Sequence, residues 1–369
     1  MAIPEKLQQI DQSLITSLSE RIAFLAASGV PSMREQLLNC KALLMQAGVP
    51  ECAWSSIVAS SMAALAGTPP VLQQAESRQI TLVGGGGIMG RFFADRLIAA
   101  GHRVGILEYD GWDQADVLLK NADLVLICVP LKSTLAVIHK VAQHLSPTTV
   151  LADIASTKAA SVQAMLENHP GPVVGLHPMF GPGVTSFLSQ KVVVCPGRDP
   201  DAFQWFLDWM EAEGSHLITC APEEHDRMMI AVQAIRHFTT FSLGVFLAEE
   251  GISMDQSLDF ASPIYRTEIN LISRLFAQDA SLYIDIMLAS PERSEAIARL
   301  TKTSERLATL LAQGNRVALL AEFEAAREAF RDDTNRALQE SNHILTALSS
   351  FLAAKEVEAM HLPSALTLS

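Results

Sequence analysis

A run of strand-forming residues passes directly into a cluster of glycines between Ile80 and Gly90, and this junction constrains the fold more than any other feature. The glycines have the spacing Gly85-x-Gly87-x-x-Gly90, and a helical pattern follows from Arg91. Between a strand and a helix, glycines permit a tight turn, let backbone N–H groups approach a pyrophosphate and let the helix pack closely on the strand. The junction predicts a Rossmann-type domain that binds a dinucleotide. The alternative is a glycine-rich turn with a purely structural role.

An acidic residue stands where such a domain needs one. Glu108 lies eighteen positions beyond Gly90, at the end of a second predicted strand. A carboxylate there accepts hydrogen bonds from ribose hydroxyls and repels a 2′-phosphate, so NAD is favoured over NADP. Asp110 is a rival for this role, and the alternative is that Glu108 is only an exposed acid at a strand end. The other expected cofactor contacts are Gly85, Gly87, Ile88, Met89, Gly90, Val129 and Pro130.

The composition bounds the class of protein. A chain of 369 residues suits two or three domains, and 49% hydrophobic residues provide enough apolar surface for their cores. The formal net charge of −13 argues against a nucleic-acid partner, because there is no basic stripe to bind phosphates. Five scattered cysteines fit a reducing cytoplasm and predict neither a disulfide framework nor a metal site. No apolar run reaches the ~18 residues of a membrane span, so no membrane partner is expected.

Strand and helix patterns divide the chain into three parts. Residues 1–70 form a small helical module that ends in a linker at Gly67–Pro70, residues 78–220 alternate strands with helices, and residues 221–369 are helical. The alternation predicts a mostly parallel sheet with helices on both faces. The fold class is thus an α/β Rossmann-type domain flanked by an all-α N-terminal module and an all-α C-terminal domain. Long amphipathic stretches at 294–313 and 316–353 need apolar partners, so a homodimer is expected.

Seven strands are predicted from short apolar runs bounded by turn residues. They are Ile80–Val83, Val104–Leu107, Leu124–Val129, Val150–Asp153, Val173–Leu176, Val192–Cys195 and His216–Thr219.

A polar segment follows the fourth predicted strand, from Asp153 to Lys158. Ligands of open α/β sheets bind at the carboxyl edge of the strands. Ser156 and Lys158 are therefore candidates for orienting the nicotinamide and binding an anionic substrate. The alternative is that Ser156 or Thr157 caps the next helix and that Lys158 is solvated.

The strongest catalytic candidate is His177, which follows the fifth predicted strand in the segment Gly175-Leu-His-Pro-Met-Phe-Gly-Pro182. A histidine held by a following proline at this edge is placed to meet a substrate hydroxyl beside the nicotinamide. Its near-neutral pKa lets it accept the hydroxyl proton as hydride leaves. A histidine taken at random is more often structural, but the predicted sheet edge favours the catalytic interpretation here.

The helical C-terminal part carries a row of polar residues. Arg266, Asn270 and Arg274 are four positions apart, so they lie on one face of a helix. Guanidinium groups among apolar neighbours suit bidentate binding of carboxylates. The alternative is a pair of salt bridges to acids such as Glu268 or Asp285.

Taken together, these segments resemble the prephenate dehydrogenases, and most of all the T-protein type, in which a chorismate mutase domain precedes the dehydrogenase. The resemblance covers roughly Gln79 to Phe330. Besides the glycine loop and the histidine segment, it is carried by Ala155–Lys158, Glu224–Asp226, Gln233–Phe238, Ser262–Arg266 and Arg274–Asp279.

The resemblance implies a reaction and roles for several residues. The reaction is the oxidative decarboxylation of prephenate to 4-hydroxyphenylpyruvate in tyrosine biosynthesis, with hydride passing to NAD. His177 is then the catalytic histidine that hydrogen-bonds the ring hydroxyl, and Arg274 binds a substrate carboxylate. Ser156, Lys158, Arg266 and His237 have supporting roles, with His237 near the site at which tyrosine acts as a feedback inhibitor.

The first module departs from the mutase pattern. Ile10–Arg21 matches the first mutase helix and places Arg21 at the second of its arginines, but Pro4 stands at the early arginine. Gly29–Ser32 breaks the helix before the family lysine, whose place is held by Ser32. Arg34-Glu35 could replace the pair from the second helix, but Ser32-x-x-Glu35 is also a capping box. We therefore predict a degenerate mutase module that is kept for packing or dimerisation.

Other functions stay open on the sequence. A bifunctional T-protein would also isomerise chorismate, and a non-catalytic regulator would bind the dinucleotide without turnover. A dehydrogenase for another small hydroxy acid is disfavoured by the histidine segment and the arginine row. The sequence does not distinguish prephenate from arogenate.

Overall fold

The computed structural model describes residues 3–66, 76–181 and 183–361. The predicted linker at Gly67–Pro70 and Pro182 of the histidine segment lie outside the described residues. The chain divides into two compact units, one reaching Met229 and the other beginning at Ile230, with residues 49–53 belonging to the second. The predicted division into parts 1–70, 78–220 and 221–369 stays a prediction.

The N-terminal module consists of three helices, α1 (Glu5–Ser28), α2 (Met33–Ala47) and α3 (Glu51–Ala66). Helix α1 ends at Gly29, which has a φ of +86° that favours glycine. The capping box at the start of α2 is confirmed: Glu35 N donates to Ser32 Oγ (3.3 Å), and Ser32 N donates to Glu35 Oε2 (2.9 Å). These contacts explain the break between α1 and α2 without a catalytic role for Glu35.

Residues 79–219 form a seven-stranded sheet with the order β2-β1-β3-β4-β5-β6-β7. All neighbouring strands are parallel except β5 and β6, which are antiparallel. The predicted α/β class with a mostly parallel sheet is thus confirmed. In chain order the elements are β1 (Gln79–Val83), α4 (Ile88–Ala99), β2 (Arg103–Leu107), α5 (Ala115–Leu119), β3 (Leu124–Ile127), α6 (Thr134–Ala142), β4 (Val150–Asp153), α7 (Ala159–Asn168), β5 (Val173–Pro178), β6 (Lys191–Arg198), α8 (Gln204–Ala212) and β7 (His216–Thr219).

Three strands, β3, β5 and β6, end at other residues than predicted, and β1, β2 and β6 begin one residue earlier. Strand β6 is Lys191–Arg198, where Val192–Cys195 was predicted. Strand β3 ends at Ile127 and not at Val129, since the chain leaves the sheet ahead of Pro130, which has no N–H to offer a neighbouring strand. Strand β5 continues to Pro178, so His177 lies inside the strand and not after it. The cause is the antiparallel partner β6, which pairs Val193 with His177.

The sheet has a hydrophobic core on each face. Because side chains alternate along a strand, Leu82 and Leu126 face the side covered by α4 and α8, where Phe93 and Phe206 are fully buried. Neighbouring strand residues face the opposite side, which α5, α6 and α7 cover. Helices on both faces leave the carboxyl ends of β1, β3, β4 and β5 at one edge, where the sequence predicts the site.

The second unit is helical. It begins with a π-helical turn at Ile230–Ile235, which separates α9 (Pro222–Met229) from α10 (Arg236–Glu249). The predicted stretch 316–353 is two helices, since Asp332 and Asp333, which favour caps over helix interiors, lie in a short 3₁₀ turn between them. The remaining helices are α11 (Met254–Asp259), α12 (Pro263–Phe276), α13 (Ala280–Met287), α14 (Pro291–Ala312), α15 (Arg316–Ala329) and α16 (Thr334–His361).

One helical stretch is apolar on average, although polar residues such as Gln233 and Arg236 interrupt it. Among the described residues, the helical stretch Pro222–Glu249 is long and apolar enough to cross a membrane by length and composition. A helix that packs against other protein passes the same test, so this finding alone is weak evidence for a membrane span.

Candidate active site

The glycine loop has the geometry that a dinucleotide requires. Gly84 has a φ of +79°, and α4 begins directly after Gly87. A Cβ atom on Gly90 would lie 2.6 Å from Gly85 Cα, so only glycine allows the helix to approach the loop this closely. The first backbone N–H groups of α4 have no partner within the helix and can face a pyrophosphate. The loop therefore fits NAD.

Glu108 reaches the glycine loop from the end of β2. Its Oε1 accepts a hydrogen bond from Gly86 N at 2.5 Å. The contact fixes the carboxylate beside the loop, where it can accept hydrogen bonds from ribose hydroxyls. Asp110, the other acid considered for this role, is exposed. Gly85, Gly87, Ile88, Met89 and Gly90 line the same loop and first helical turn, and Val129 and Pro130 follow β3 at the same edge of the sheet.

A cavity of about 370 Å³ lies between the first turns of α4 and the loop that follows β5. Its volume falls in the range of small-molecule sites. Two of the predicted cofactor contacts and several residues shortly after His177 line this cavity. The lining residues include Ile88, Met89, Phe92, Phe180, Gly181 and Thr185.

Lys158 is a buried structural residue. Its Nζ donates to Asp153 Oδ2 (2.6 Å) and to the backbone oxygen of Leu176 (2.8 Å), and neither Lys158 nor Asp153 is exposed. Gly175 allows the strand to pack closely here, because a Cβ there would lie 2.5 Å from Val162 Cγ2 and 3.1 Å from Lys158 Cδ. This geometry contradicts the solvated alternative for Lys158, because the side chain is fully buried against protein acceptors. The same burial argues against the predicted contact with an anionic substrate.

The start of α7 is capped by a distant residue. Lys158 N and Ala159 N donate to Asp226 Oδ1 (2.8 Å) and Oδ2 (3.0 Å). The N-cap residue of α7 is Lys158, so neither Ser156 nor Thr157 occupies the N-cap position that the alternative gave them. Ser156 is half-buried just beyond β4, at the carboxyl edge of the sheet.

His177 contacts a second histidine, which the sequence reasoning missed as a site residue. His177 Nδ1 lies 2.7 Å from His225 Nε2, and His225 Nδ1 lies 2.8 Å from Asp226 Oδ1. All three belong to the first unit, although forty-eight positions separate the two histidines. The motif Glu224-His225-Asp226 was part of the resemblance and was the one available signal.

His237 lies in a basic and aromatic pocket of the second unit. It is buried, its ring meets Tyr283 edge to face at 4.8 Å, and its Nδ1 lies 3.3 Å from Arg236 Nη1. Burial, and then the positive charges of Arg236 and Arg293, lower the pKa of His237 to about 4. His237 is therefore a neutral imidazole at neutral pH.

The arginine row lies on α12 as the spacing predicts. The apolar face of the helix buries Ile269, Ile272 and Leu275. Arg274 and Asn270 are exposed and Arg266 is half-buried. Within the described residues, Arg266 forms no salt bridge with Glu268 or Asp285, so that alternative is not borne out for it. A carboxylate-binding role for this face stays a prediction.

The structure combines a mostly parallel sheet with a glycine loop, an acid at the end of β2 and a histidine near the carboxyl end of β5. This combination defines a dinucleotide-dependent dehydrogenase. Known proteins make this assignment specific. Residues 87–219 match the nucleotide-binding domain of prephenate dehydrogenase, and residues 221–325 match its dimerization domain. The chain belongs to the prephenate dehydrogenase family, in its T-protein type, and is an NAD-dependent oxidoreductase.

Individual relatives agree. A T-protein of Enterobacter agglomerans is 43% identical over 270 residues, which are 73% of this chain and 72% of that protein. A T-protein of Haemophilus influenzae is 38% identical over 72% of this chain and 71% of its own length. The crystal structure of prephenate dehydrogenase from Aquifex aeolicus with hydroxyphenyl propionate and NAD+ has a TM-score of 0.54 at 17% identity, over 70% of this chain and 99% of that chain. This last likeness concerns the fold alone.

Proposed function

We propose that the enzyme converts prephenate to 4-hydroxyphenylpyruvate and carbon dioxide. The observation that carries the proposal is the position of His177 near the carboxyl end of β5. This end lies at the same edge of the sheet as the glycine loop that follows β1. NAD, when bound, supplies the hydride acceptor. His177 accepts the proton of the C4 hydroxyl while the C4–H bond breaks. The electron pair of the C1–carboxylate bond then enters the ring, and the proton returns to the oxygen as the ring becomes aromatic.

The residues proposed for the substrate have the chemistry that this reaction needs. Prephenate carries two carboxylates, which suit guanidinium groups such as Arg274 and Arg266. A neutral His237 can donate a hydrogen bond without adding charge, and Ser156 can contact the ring hydroxyl. The protein mainly has to position and polarise, because aromatisation supplies the driving force.

The stoichiometry tests this reaction. Purified protein with prephenate and NAD should form NADH and release carbon dioxide in equal amounts, and arogenate in place of prephenate reports the preference between the two substrates. Formation of NADH without carbon dioxide would indicate a different hydroxy-acid dehydrogenase. NAD binding without turnover would support the alternative that the protein is a non-catalytic regulator.

We also propose that the N-terminal module lacks chorismate mutase activity. Arg21, which matches the second arginine of the first mutase helix, donates to Gln36 Oε1 and lies 5.6 Å from the ring centre of Trp54. Both contacts serve packing among the three helices. Residues 3–66 contain three other cationic side chains, Lys6, Arg34 and Lys41. These are few for a mutase active site, which must bind a dicarboxylate. Chorismate consumption without NAD, above the spontaneous rate, would favour the bifunctional alternative.

The enzyme is proposed to be a homodimer that forms through residues 221–325. The matched model for this region is described as a dimerization domain. Several large apolar side chains are exposed on the single chain here, including Phe246, Ile264, Leu271 and Phe276. A partner covering them would also account for the apolar stretch 222–249. Light scattering should give twice the mass of the chain, and a monomer would contradict the proposal.

Two regulatory and cellular expectations remain proposals. Tyrosine shares its ring hydroxyl and carboxylate with the product, so we expect it to compete with prephenate. Inhibition by tyrosine is checked by the rate of NADH formation in its presence, compared with the rate in the presence of phenylalanine, which lacks the hydroxyl.

A cytoplasmic location fits the five cysteines, all of which are free thiols.

A further inference from the structure

His177 is the first residue of a chain of hydrogen bonds that continues through His225 to Asp226. The side chains of His177 and His225 are 4% and 1% exposed, and their rings stand edge to face with centres 5.0 Å apart. The contact between them is 2.7 Å long and leads through His225 to Asp226. A chain of buried hydrogen bonds can fix the tautomer of the first side chain in it.

The carboxylate at the end of this chain decides where the protons lie. Ionised Asp226 can only accept a hydrogen bond, so neutral His225 donates from Nδ1 and keeps Nε2 as an acceptor. His177 must then donate from its own Nδ1, which leaves Nε2 as its basic nitrogen. One tautomer is thereby selected at each ring.

Asp226 is itself held in place. Its two oxygens accept the backbone N–H groups of Lys158 and Ala159 at the first turn of α7, where the helix dipole favours a negative charge. Burial acts to raise the pKa of Asp226. The hydrogen bonds from His225 and from the two backbone groups outweigh burial and hold the pKa below its ordinary value.

We propose that His225 is a positioning residue for the dehydrogenase reaction, which keeps His177 in its Nδ1–H tautomer and stabilises the imidazolium formed when His177 takes the hydroxyl proton. The proposal rests on the function proposed above, because it needs His177 to accept that proton. The Nδ1–H of the imidazolium donates to His225, which keeps its own bond to Asp226. No proton has to leave His225 at any step.

Three other titratable groups lie on the strands around the pair and the segment after β4, and two of them bind each other. Lys158 and Asp153 form an ion pair with each other beside β5. On the neighbouring strand, burial, with Cys220 close by, raises the pKa of Cys195 to about 12. Asp226 is the charged group in direct contact with His225.

Replacement of His225 tests the proposal by kinetics. His225→Leu removes the acceptor, so we expect kcat to fall at least about tenfold while the Kd for NAD changes less than about twofold. The midpoint of the acid limb of the kcat profile should move to lower pH, because the imidazolium of His177 loses its partner. His225→Gln, whose Oε1 can accept from His177, should recover part of kcat.

His169 provides a matched control. It is equally buried in the same unit and bonds Thr149 O at 2.7 Å, away from His177. His169→Gln should leave the pH profile unchanged. An unchanged profile in His225→Leu, or equal losses of kcat and NAD affinity in both variants, would overturn the proposal in favour of a structural role.

A second measurement does not depend on turnover. Heteronuclear NMR of histidine-labelled wild-type protein should show the Nδ1–H tautomer for both His177 and His225. An Nε2–H tautomer at either ring would overturn the proposal. If the wild type fails to oxidise prephenate while both tautomers are found, the proposed function fails and the hydrogen-bonded arrangement stands.

Discussion

Lys158 Nζ lies 2.6 Å from Asp153 Oδ2, and neither side chain is exposed. The same ammonium group donates to Leu176 O, next to His177 in β5. A buried ion pair is costly to break, because the remaining charge is left without a partner. The pair therefore links the end of β4 to β5 and helps to fix the position of His177.

We predict that Lys158→Met lowers the free energy of unfolding by about 3–5 kcal/mol, the range for removing one partner of a buried pair. Lys120→Met, at an exposed position, should change it by less than about 0.5 kcal/mol. Urea unfolding measures both. Adding Asp153→Asn should recover part of the loss, and equal stability of the two lysine variants would contradict the role given to Lys158.

The close contact at Gly90 predicts a selective loss of cofactor binding. Gly90→Ala places a Cβ 2.6 Å from Gly85 Cα and 2.7 Å from two backbone oxygens, so the loop or α4 must shift. The Kd for NAD should rise at least about tenfold, since the backbone donors lose their alignment. Gly111→Ala, whose added Cβ would meet atoms only at 3.7–3.8 Å, is the matched control for titration calorimetry. Similar NAD affinities in both variants would contradict this reading of the loop.

Glu108 should decide the choice of cofactor. Glu108→Ala removes the ribose acceptor and the repulsion of a 2′-phosphate, so the NAD to NADP ratio of kcat/KM should fall. Loss of a charge-assisted hydrogen bond of about 1.5–3 kcal/mol corresponds to about 10- to 100-fold in affinity for NAD. Asp110→Ala is the control for the rival acid. The larger effect in Asp110→Ala would contradict the assignment.

The low pKa of His237 makes stability depend on pH. In the unfolded chain a histidine has a pKa near 6.5, and in the folded protein the pKa is about 4. Between these values the unfolded state binds more protons, so stability is fully present above about pH 6.5 and is lost as the pH falls toward 4. From pH 7.5 to 5 this contribution is about 2 kcal/mol.

His237→Gln should remove that part of the pH dependence. The difference in the free energy of unfolding between the two pH values should shrink by about 2 kcal/mol. His343→Gln, at an exposed position on α16, should retain the wild-type difference. Parallel pH curves for wild type and His237→Gln would contradict a neutral, buried His237.

The sequence predicted those parts of the fold that depend on neighbouring residues. Val150–Asp153 and His216–Thr219 were predicted with the bounds that the structure has, because each is a short run between turn residues. The sequence also located the glycine loop, since its function depends on local spacing. Periodicity did not reveal the break at Asp332 and Asp333, which interrupts an apolar pattern that continues on both sides.

The contacts within the site were harder to predict. His225 meets His177 because α9 packs against α7 and β6, and such a tertiary contact leaves no periodic signal in either segment. Lys158 was misread for the same reason: its partner Asp153 lies five positions away, but the second acceptor, on Leu176, comes from another strand. The π-helical turn ahead of His237 was likewise not predicted.

The role of His177 is tested directly by the rate of NADH formation from prephenate by wild type, His177→Asn and His169→Asn. We predict rapid formation by wild type and His169→Asn, and a loss of at least about a hundredfold in kcat for His177→Asn with the Kd for NAD retained. Equal rates for wild type and His177→Asn, or no NADH from the wild type, would contradict the central claim that His177 accepts the proton in an NAD-dependent oxidation of prephenate.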